Sequence, residues 1–223
     1  MSTSTLERIT IEPTTSATSV VIWLHGLGDS GAGFAPIVPV LNLPTDHSIR
    51  FIFPHAPEQA VTVNQGMVMR SWYDIKSMDL DGRADMEGVL ESEKAVKALI
   101  QEQIDSGIAA NKIVLAGFSQ GGVMSLFTGL RYPEALAGIM GLSCYLASGL
   151  NLPLNSTDAN KSTPILQNHG LMDDVVPVQA GISANEVLKT AGYNTQWKAY
   201  HMAHSVLPEQ LSDISKWLVS RLS

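Results

Sequence analysis

The chain has 223 residues and a formal net charge of −7, from 14 lysines and arginines against 21 aspartates and glutamates. That balance excludes a basic nucleic-acid face, and a 45% hydrophobic content suits an ordinary buried core. The lone cysteine, Cys144, has no internal disulfide partner, the first residues (MSTSTLERITIEP) hold no apolar leader, and the stretch Leu136 to Leu150 is short for a membrane span and broken by Gly and Ser, so a cytoplasmic protein without a transmembrane segment is expected.

Short apolar runs then alternate with amphipathic ones along the chain. Ser19–Leu24 and Arg50–Phe53 have the composition of buried strands. Residues 54–82 break the alternation. This stretch carries the apolar pairs Val61/Val63 and Met67/Met69 and the aromatic pair Trp72-Tyr73. Its length predicts a lid or binding excursion, with a packed Ω-loop containing a short hairpin as the alternative. Trp72, Met69 and Met67 are candidates for an apolar substrate wall, although methionine also fills gaps in many cores. Asp85–Ser106 has helical spacing, with Gly107 as its stop. Lys112–Ala116 predicts a strand and Gly122–Leu130 a helix. Ala137–Leu142 and Pro164–Gln167 predict further strands, and Val178–Thr190 a helix. Thr195–Tyr200 alternates like a strand nearer an edge, and Pro208–Leu222 predicts a last helix with proline in its first turn. Repeated β-then-α order predicts an α/β fold, a mostly parallel sheet with helices on both faces, in one domain over 1–223.

One serine stands out. Gly117-Phe118-Ser119-Gln120-Gly121 matches G-x-S-x-G. A pattern this short recurs by chance, but here an apolar strand precedes it and a helix-compatible run follows. A sharp strand-to-helix turn lifts the hydroxyl above the sheet, and glycines on either side let strand and helix approach. The first turn of the helix then points unpaired N–H groups beside the hydroxyl. A plain helix N-cap is the structural alternative for Ser119.

A neutral hydroxyl needs a base. Downstream histidines are His169, His201 and His204. His169 ends a strand, and Asp173 and Asp174 follow in the next loop. His201 and His204 both lie between the Thr195–Tyr200 strand and the last helix. The order Ser, acid, His is therefore met with two choices at each later position. Asp174 also suits an N-cap for the helix near Val178, a role that Asp173 fits less well. The six histidines form no H-E-x-x-H helix and no Cys/His cluster, so no metal is expected. His25 and His169 precede glycines and are expected to be structural hydrogen-bonders.

Six motifs in order, VIWLHGLGDSG (21–31), FIFPHAP (51–57), MRSWYDI (69–75), LAGFSQGG (115–122), NHGLMDDVVP (168–177) and MAHSV (202–206), resemble the acyl-protein thioesterase and bacterial carboxylesterase family of serine α/β-hydrolases across nearly the whole chain. The resemblance implies an α/β-hydrolase fold and a nucleophile at Ser119. The H-G-x-x-D pattern places the acid at Asp173, and the H-S-V pattern places the base at His204. It also implies an oxyanion hole from the N–H groups of Leu27 and Gln120, and places Tyr145 and Val175 near the substrate. Tyr145 stands where some relatives have Trp, and Asn168 where some have Cys. The implied reaction is acyl transfer from esters or thioesters without metal or organic cofactor. The implied partners are small-molecule esters, acylated proteins or lysophospholipids. A non-catalytic binding module on the same fold would predict a broken triad.

Overall fold

The computed structural model describes residues 6–77, 79 and 82–222. In chain order the elements are β1 (Arg8–Ile11), β2 (Ser19–Leu24), α1 (Gly31–Phe34), α2 (Ile37–Val40), β3 (Ile49–Pro54), β4 (Glu58–Val61), β5 (Met67–Arg70), α3 (Met86–Asp105), β6 (Ile113–Phe118), α4 (Gln120–Leu130), β7 (Gly138–Leu142), β8 (Ile165–Gly170), α5 (Val178–Thr190), β9 (Thr195–Tyr200) and α6 (Pro208–Leu222). Seven strands form one sheet in the order β1-β3-β2-β6-β7-β8-β9. All its pairings are parallel except the edge pairing of β1 with β3.

Apolar runs become central strands because helices cover both sheet faces, leaving no wet side for polar residues. β2, β7 and β8 are buried at every position. Alternate residues of β2 feed two cores. Val20, Ile22 and Leu24 pack with residues of α3, α4 and α5. Val21 and Trp23 pack on the other face with Phe51, Phe53 and the Leu211, Ile214 and Leu218 side of α6. Each long helix carries the matching stripe; in α3 the buried positions include Val89, Ser92, Val96, Leu99, Ile100 and Gln103, at spacings of three and four. Asp85 caps α3 by accepting the Gly88 N–H at 3.2 Å, and Gly107, with φ 98°, ends it.

The predicted strands and helices are present, most with ends shifted by one to three residues. Two features were not read from the sequence, and a third settles an alternative left open there. β1 is a four-residue, half-buried edge strand whose only signal is the short RITI alternation. α1 and α2 are single turns that fill the link from β2 to β3. The excursion over 54–82 contains the hairpin β4–β5, which pairs Val61 with Met67 and Glu58 with Arg70.

Leu115 lies in the centre of β6 with no solvent exposure, whereas Leu154 is 84% exposed. Leu115→Ala is expected to lower stability by about 2–5 kcal/mol in urea unfolding. Leu154→Ala is expected to stay within about 0.5 kcal/mol of the parent.

Candidate active site

The strand order reverses direction between β2 and β6. From β2 the chain goes to β3 on one side, and from β6 it builds β7, β8 and β9 on the other. The loops leaving the carboxyl ends of β2 and β6 therefore part company and leave a crevice, the usual binding position in open α/β sheets. Ser119 sits at the end of β6 on this crevice, and residues 25–30 leave β2 beside it.

Ser119 has φ 54° and ψ −120°, a backbone region that costs a non-glycine residue on the order of 1–3 kcal/mol. Its surroundings hold it there. Its N–H donates to the Leu142 carbonyl at 2.8 Å, and its carbonyl accepts from the Val123 N–H at 3.0 Å. A Cβ at position 117 would lie 2.1 Å from the Gly121 carbonyl oxygen, and one at 121 would lie 2.2 Å from that of Leu24. Neither backbone group can move aside, so both positions require glycine. Ser119 occupies the cap position of α4 but its side chain does not cap the helix.

The hydroxyl is engaged elsewhere. Ser119 Oγ lies 2.9 Å from His204 Nε2, and His204 Nδ1 lies 2.7 Å from Asp173 Oδ2. The loops carrying the last two residues are stitched together: the Leu171 N–H donates to Tyr200 O at 2.8 Å and the Met172 N–H to Met202 O at 3.0 Å. Asp173 is buried, and its second oxygen accepts the Val175 and Val176 N–H groups at 3.0 and 2.8 Å. The carboxylate is thereby fixed and satisfied without solvent. The His204 ring packs on Phe118, with centroids 4.8 Å apart. The alternatives left open by the sequence are elsewhere: His201 and Asp174 are both exposed. Asp174 does not cap α5, whose cap position is Pro177 without a side-chain bond.

Leu27 and Gln120 flank the serine. Gln120 opens α4, so its N–H is one of the helix's unpaired first-turn donors. The Leu27 loop is fixed from both sides: the Gly28 N–H donates to Arg70 O at 2.9 Å, and His25 Nε2 accepts the Ala56 N–H at 3.0 Å while its Nδ1–H donates to Gly26 O at 2.7 Å. The Gln120 side chain holds the excursion. It donates to Tyr73 O at 2.7 Å and to Ser71 Oγ at 2.9 Å, and it accepts the Trp72 N–H at 2.9 Å.

A cavity of about 150 Å³ opens on Ser119. Tyr145 and Val175 line it, as do Leu27 and Gln120. Trp72 does not. It is 1% exposed, packs against the His25 ring, and donates its indole N–H to His25 O at 2.9 Å. The expectation that it contacts substrate is corrected: it is a support under the Leu27 loop. Met69 lies just behind the lining, its sulfur 3.3 Å from Asn64 Nδ2, and Met67 is exposed at the hairpin. The lining also contains Val63, Asn64, Tyr73, Ile75 and Arg83. Val63 and Tyr73 belong to the apolar and aromatic pairs noted in the excursion, whereas Arg83 carried no sequence signal. A larger groove of about 560 Å³ beside the outer face of α3 is lined by Leu6, Pro57 and charged residues such as Glu91 and Lys94. Among the described residues its lining contains neither a serine nor a histidine.

His169 donates from Nε2 to the Val176 carbonyl at 2.8 Å. Burial holds both His25 and His169 below the ordinary imidazole value of 6.5. The unfolded chain therefore takes up protons near pH 6.5 that the folded chain refuses. The resulting stability is present above that pH and is lost as pH falls below it, at up to about 1.4 kcal/mol per pH unit for each histidine. Urea midpoints are expected to decline on acidification through this window; a flat profile would contradict it. Gln120→Ala leaves the buried Trp72 N–H without its acceptor and is expected to cost about 1–3 kcal/mol in the same assay.

The phospholipase/carboxylesterase family matches residues 7–221. Acyl-protein thioesterase 1 of Gibberella zeae is 40% identical, covering 100% of this chain and 98% of its own. The Neurospora crassa protein of the same name is 42% identical over 92% of this chain and 87% of its own. Among solved structures, Arabidopsis thaliana SOBER1 superposes with a TM-score of 0.84 at 36% identity, covering 92% of this chain and 99% of that one. Acyl-protein thioesterase 2 of Zea mays superposes at 0.81 with 28% identity, over 97% and 99%. A chain matched by one family from the first strand to the last helix, and folded as its relatives are, belongs to that family: it is a phospholipase/carboxylesterase-type hydrolase of the α/β-hydrolase fold.

Proposed function

We propose that Ser119 is the nucleophile, His204 the general base and acid, and Asp173 the residue that orients the imidazole and stabilises its charged form, in two-step hydrolysis of acyl esters or thioesters. The observation that carries this reading is the chain of contacts from Ser119 Oγ to His204 Nε2 at 2.9 Å and from His204 Nδ1 to Asp173 Oδ2 at 2.7 Å, hung on a serine with a strained backbone.

His204 Nε2 accepts the hydroxyl proton as Oγ attacks the carbonyl carbon, and Asp173 stabilises the imidazolium. Negative charge moves to the carbonyl oxygen, which the N–H groups of Leu27 and Gln120 receive; losing one such donor typically costs about 2.7–4 kcal/mol of barrier. His204 returns the proton to the departing alcohol or thiol. Water then gives its proton to His204 and attacks the acyl-serine, releasing the acid and restoring the hydroxyl.

The excursion over 54–82 forms one wall of the substrate cavity through Val63, Asn64, Tyr73 and Ile75, within a single hydrolase domain over 1–223. Acylated proteins are proposed as physiological substrates beside small esters, on the names of the curated relatives. A cytoplasmic site of action is consistent with the free, buried thiol of Cys144. No helix among the described residues is long and apolar enough to cross a membrane.

Ser119→Ala is expected to keep the fold and lower kcat on the order of a millionfold, and Asp173→Asn about ten-thousandfold. Both are read on matched oxyesters and thioesters from acetyl to palmitoyl. Retained turnover in Ser119→Ala would overturn the assignment, and the chain-length profile identifies the acyl group preferred.

A further inference from the structure

One wall of the cavity at Ser119 carries hydrogen-bond donors that find no good acceptor among the described residues. Arg83 is 5% exposed. Its guanidinium lies 5.2 Å from the centre of the Tyr145 ring, and one terminal nitrogen reaches the Val175 carbonyl only at 3.4 Å. Its buried Nε has no acceptor among the described residues. None of the described residues lining the cavity is acidic. A cation taken out of water without a counter-charge is costly, and a buried donor without an acceptor adds to that cost.

The second observation is independent of the first. The hydroxyls of Tyr73 and Tyr145 face each other at 3.0 Å. Two phenols bring two protons, but one contact uses only one of them. Burial pushes both phenols above their usual value, so both stay protonated and one O–H remains to be donated. A guanidinium and a phenol with unused donors line the same cavity, next to Val63, Ile75 and Val176. An apolar lining with convergent donors suits a short carbon chain that ends in oxygen.

The position relative to the base decides which half of the substrate enters. His204 hands its proton to the leaving group, so that group departs on the His204 side. His204 does not line the cavity, whereas Leu27, Ser119 and Gln120 do. The cavity therefore receives the acyl half.

We propose that Arg83, with the Tyr73–Tyr145 hydroxyl pair, selects acyl groups ending in a carboxylate, so that half-esters or half-thioesters of short dicarboxylic acids are substrates of this enzyme. The proposal rests on the reading of Ser119 as nucleophile. The reaction consumes one water and releases the alcohol or thiol and the dicarboxylate, with no redox partner. Arg fits this role better than Lys because its planar fork matches a carboxylate with two parallel bonds.

The test compares kcat/KM on ethyl half-esters of succinate, glutarate and adipate with kcat/KM on ethyl butanoate, pentanoate and hexanoate, their neutral matches. The ratio within each pair is the readout, because a misfolded fraction lowers both rates equally. In Arg83→Gln the charged-to-neutral ratio is expected to fall about 10- to 100-fold, with Arg83→Lys between the two. A ratio unmoved by Arg83→Gln, or no turnover of any half-ester by the parent enzyme that cleaves the neutral esters, would overturn the proposal and leave Arg83 as packing for Tyr145. Ser119→Ala is run alongside: if it still cleaves the neutral esters, the catalytic reading itself has failed, and that outcome is distinct from a failure of the Arg83 proposal.

Discussion

Helix α4 can touch β2 and β6 only because positions 117 and 121 have no Cβ. With one at either place, backbone atoms would meet at little more than 2 Å. That contact forces the chain to reverse within a single residue, and Ser119 takes the strained conformation in consequence. Three further properties follow from it. The hydroxyl stands above the sheet edge, the first-turn N–H groups of α4 point at the same space, and the next side chain, Gln120, is driven sideways into the excursion. Moving the helix away by one side chain would remove all of them together. The strain is sustained by neighbours already paired through their own backbone, chiefly the Leu142 carbonyl at the end of β7 and the Val123 N–H.

How much could be read in the sequence follows from the range over which each feature is determined. Strands buried on both faces need continuous apolar runs, so β2, β3, β6, β7 and β8 were legible, and β9, α3 and α6 declared themselves by alternation, helical spacing and proline. The serine was legible because its geometry is local: two glycines, a strand before and a helix after. The choice between His201 and His204, or Asp173 and Asp174, was not local. It depends on the bonds from Leu171 and Met172 to Tyr200 and Met202, which couple segments far apart in the chain. β1 escaped because a four-residue edge strand needs little apolar signal when one partner suffices.

The excursion shows the same limit more sharply. Trp72 drew attention as a large aromatic in an odd segment, yet a large indole with a single donor is well suited to a buried support, provided that donor finds a carbonyl. It finds His25 O. Arg83, by contrast, carried no signal in the sequence. Only the folded chain reveals that it turns inward over Tyr145.

Gln120 joins two parts of the molecule that are usually considered apart. Its backbone begins the helix beside Ser119, and its side chain holds residues 71–73 at the base of the excursion. The far end of that excursion is held differently: Met67 and Val68 are each 64% exposed on a hairpin joined by a short turn. The base and the tip therefore tolerate change differently. A change at 71–73 acts on the Gln120 side chain beside Ser119, a change at 63–64 reshapes the cavity wall, and a change at 67–68 alters only an exposed surface. The exposed tip is thus a detachable ornament on this scaffold, whereas its base is part of the frame.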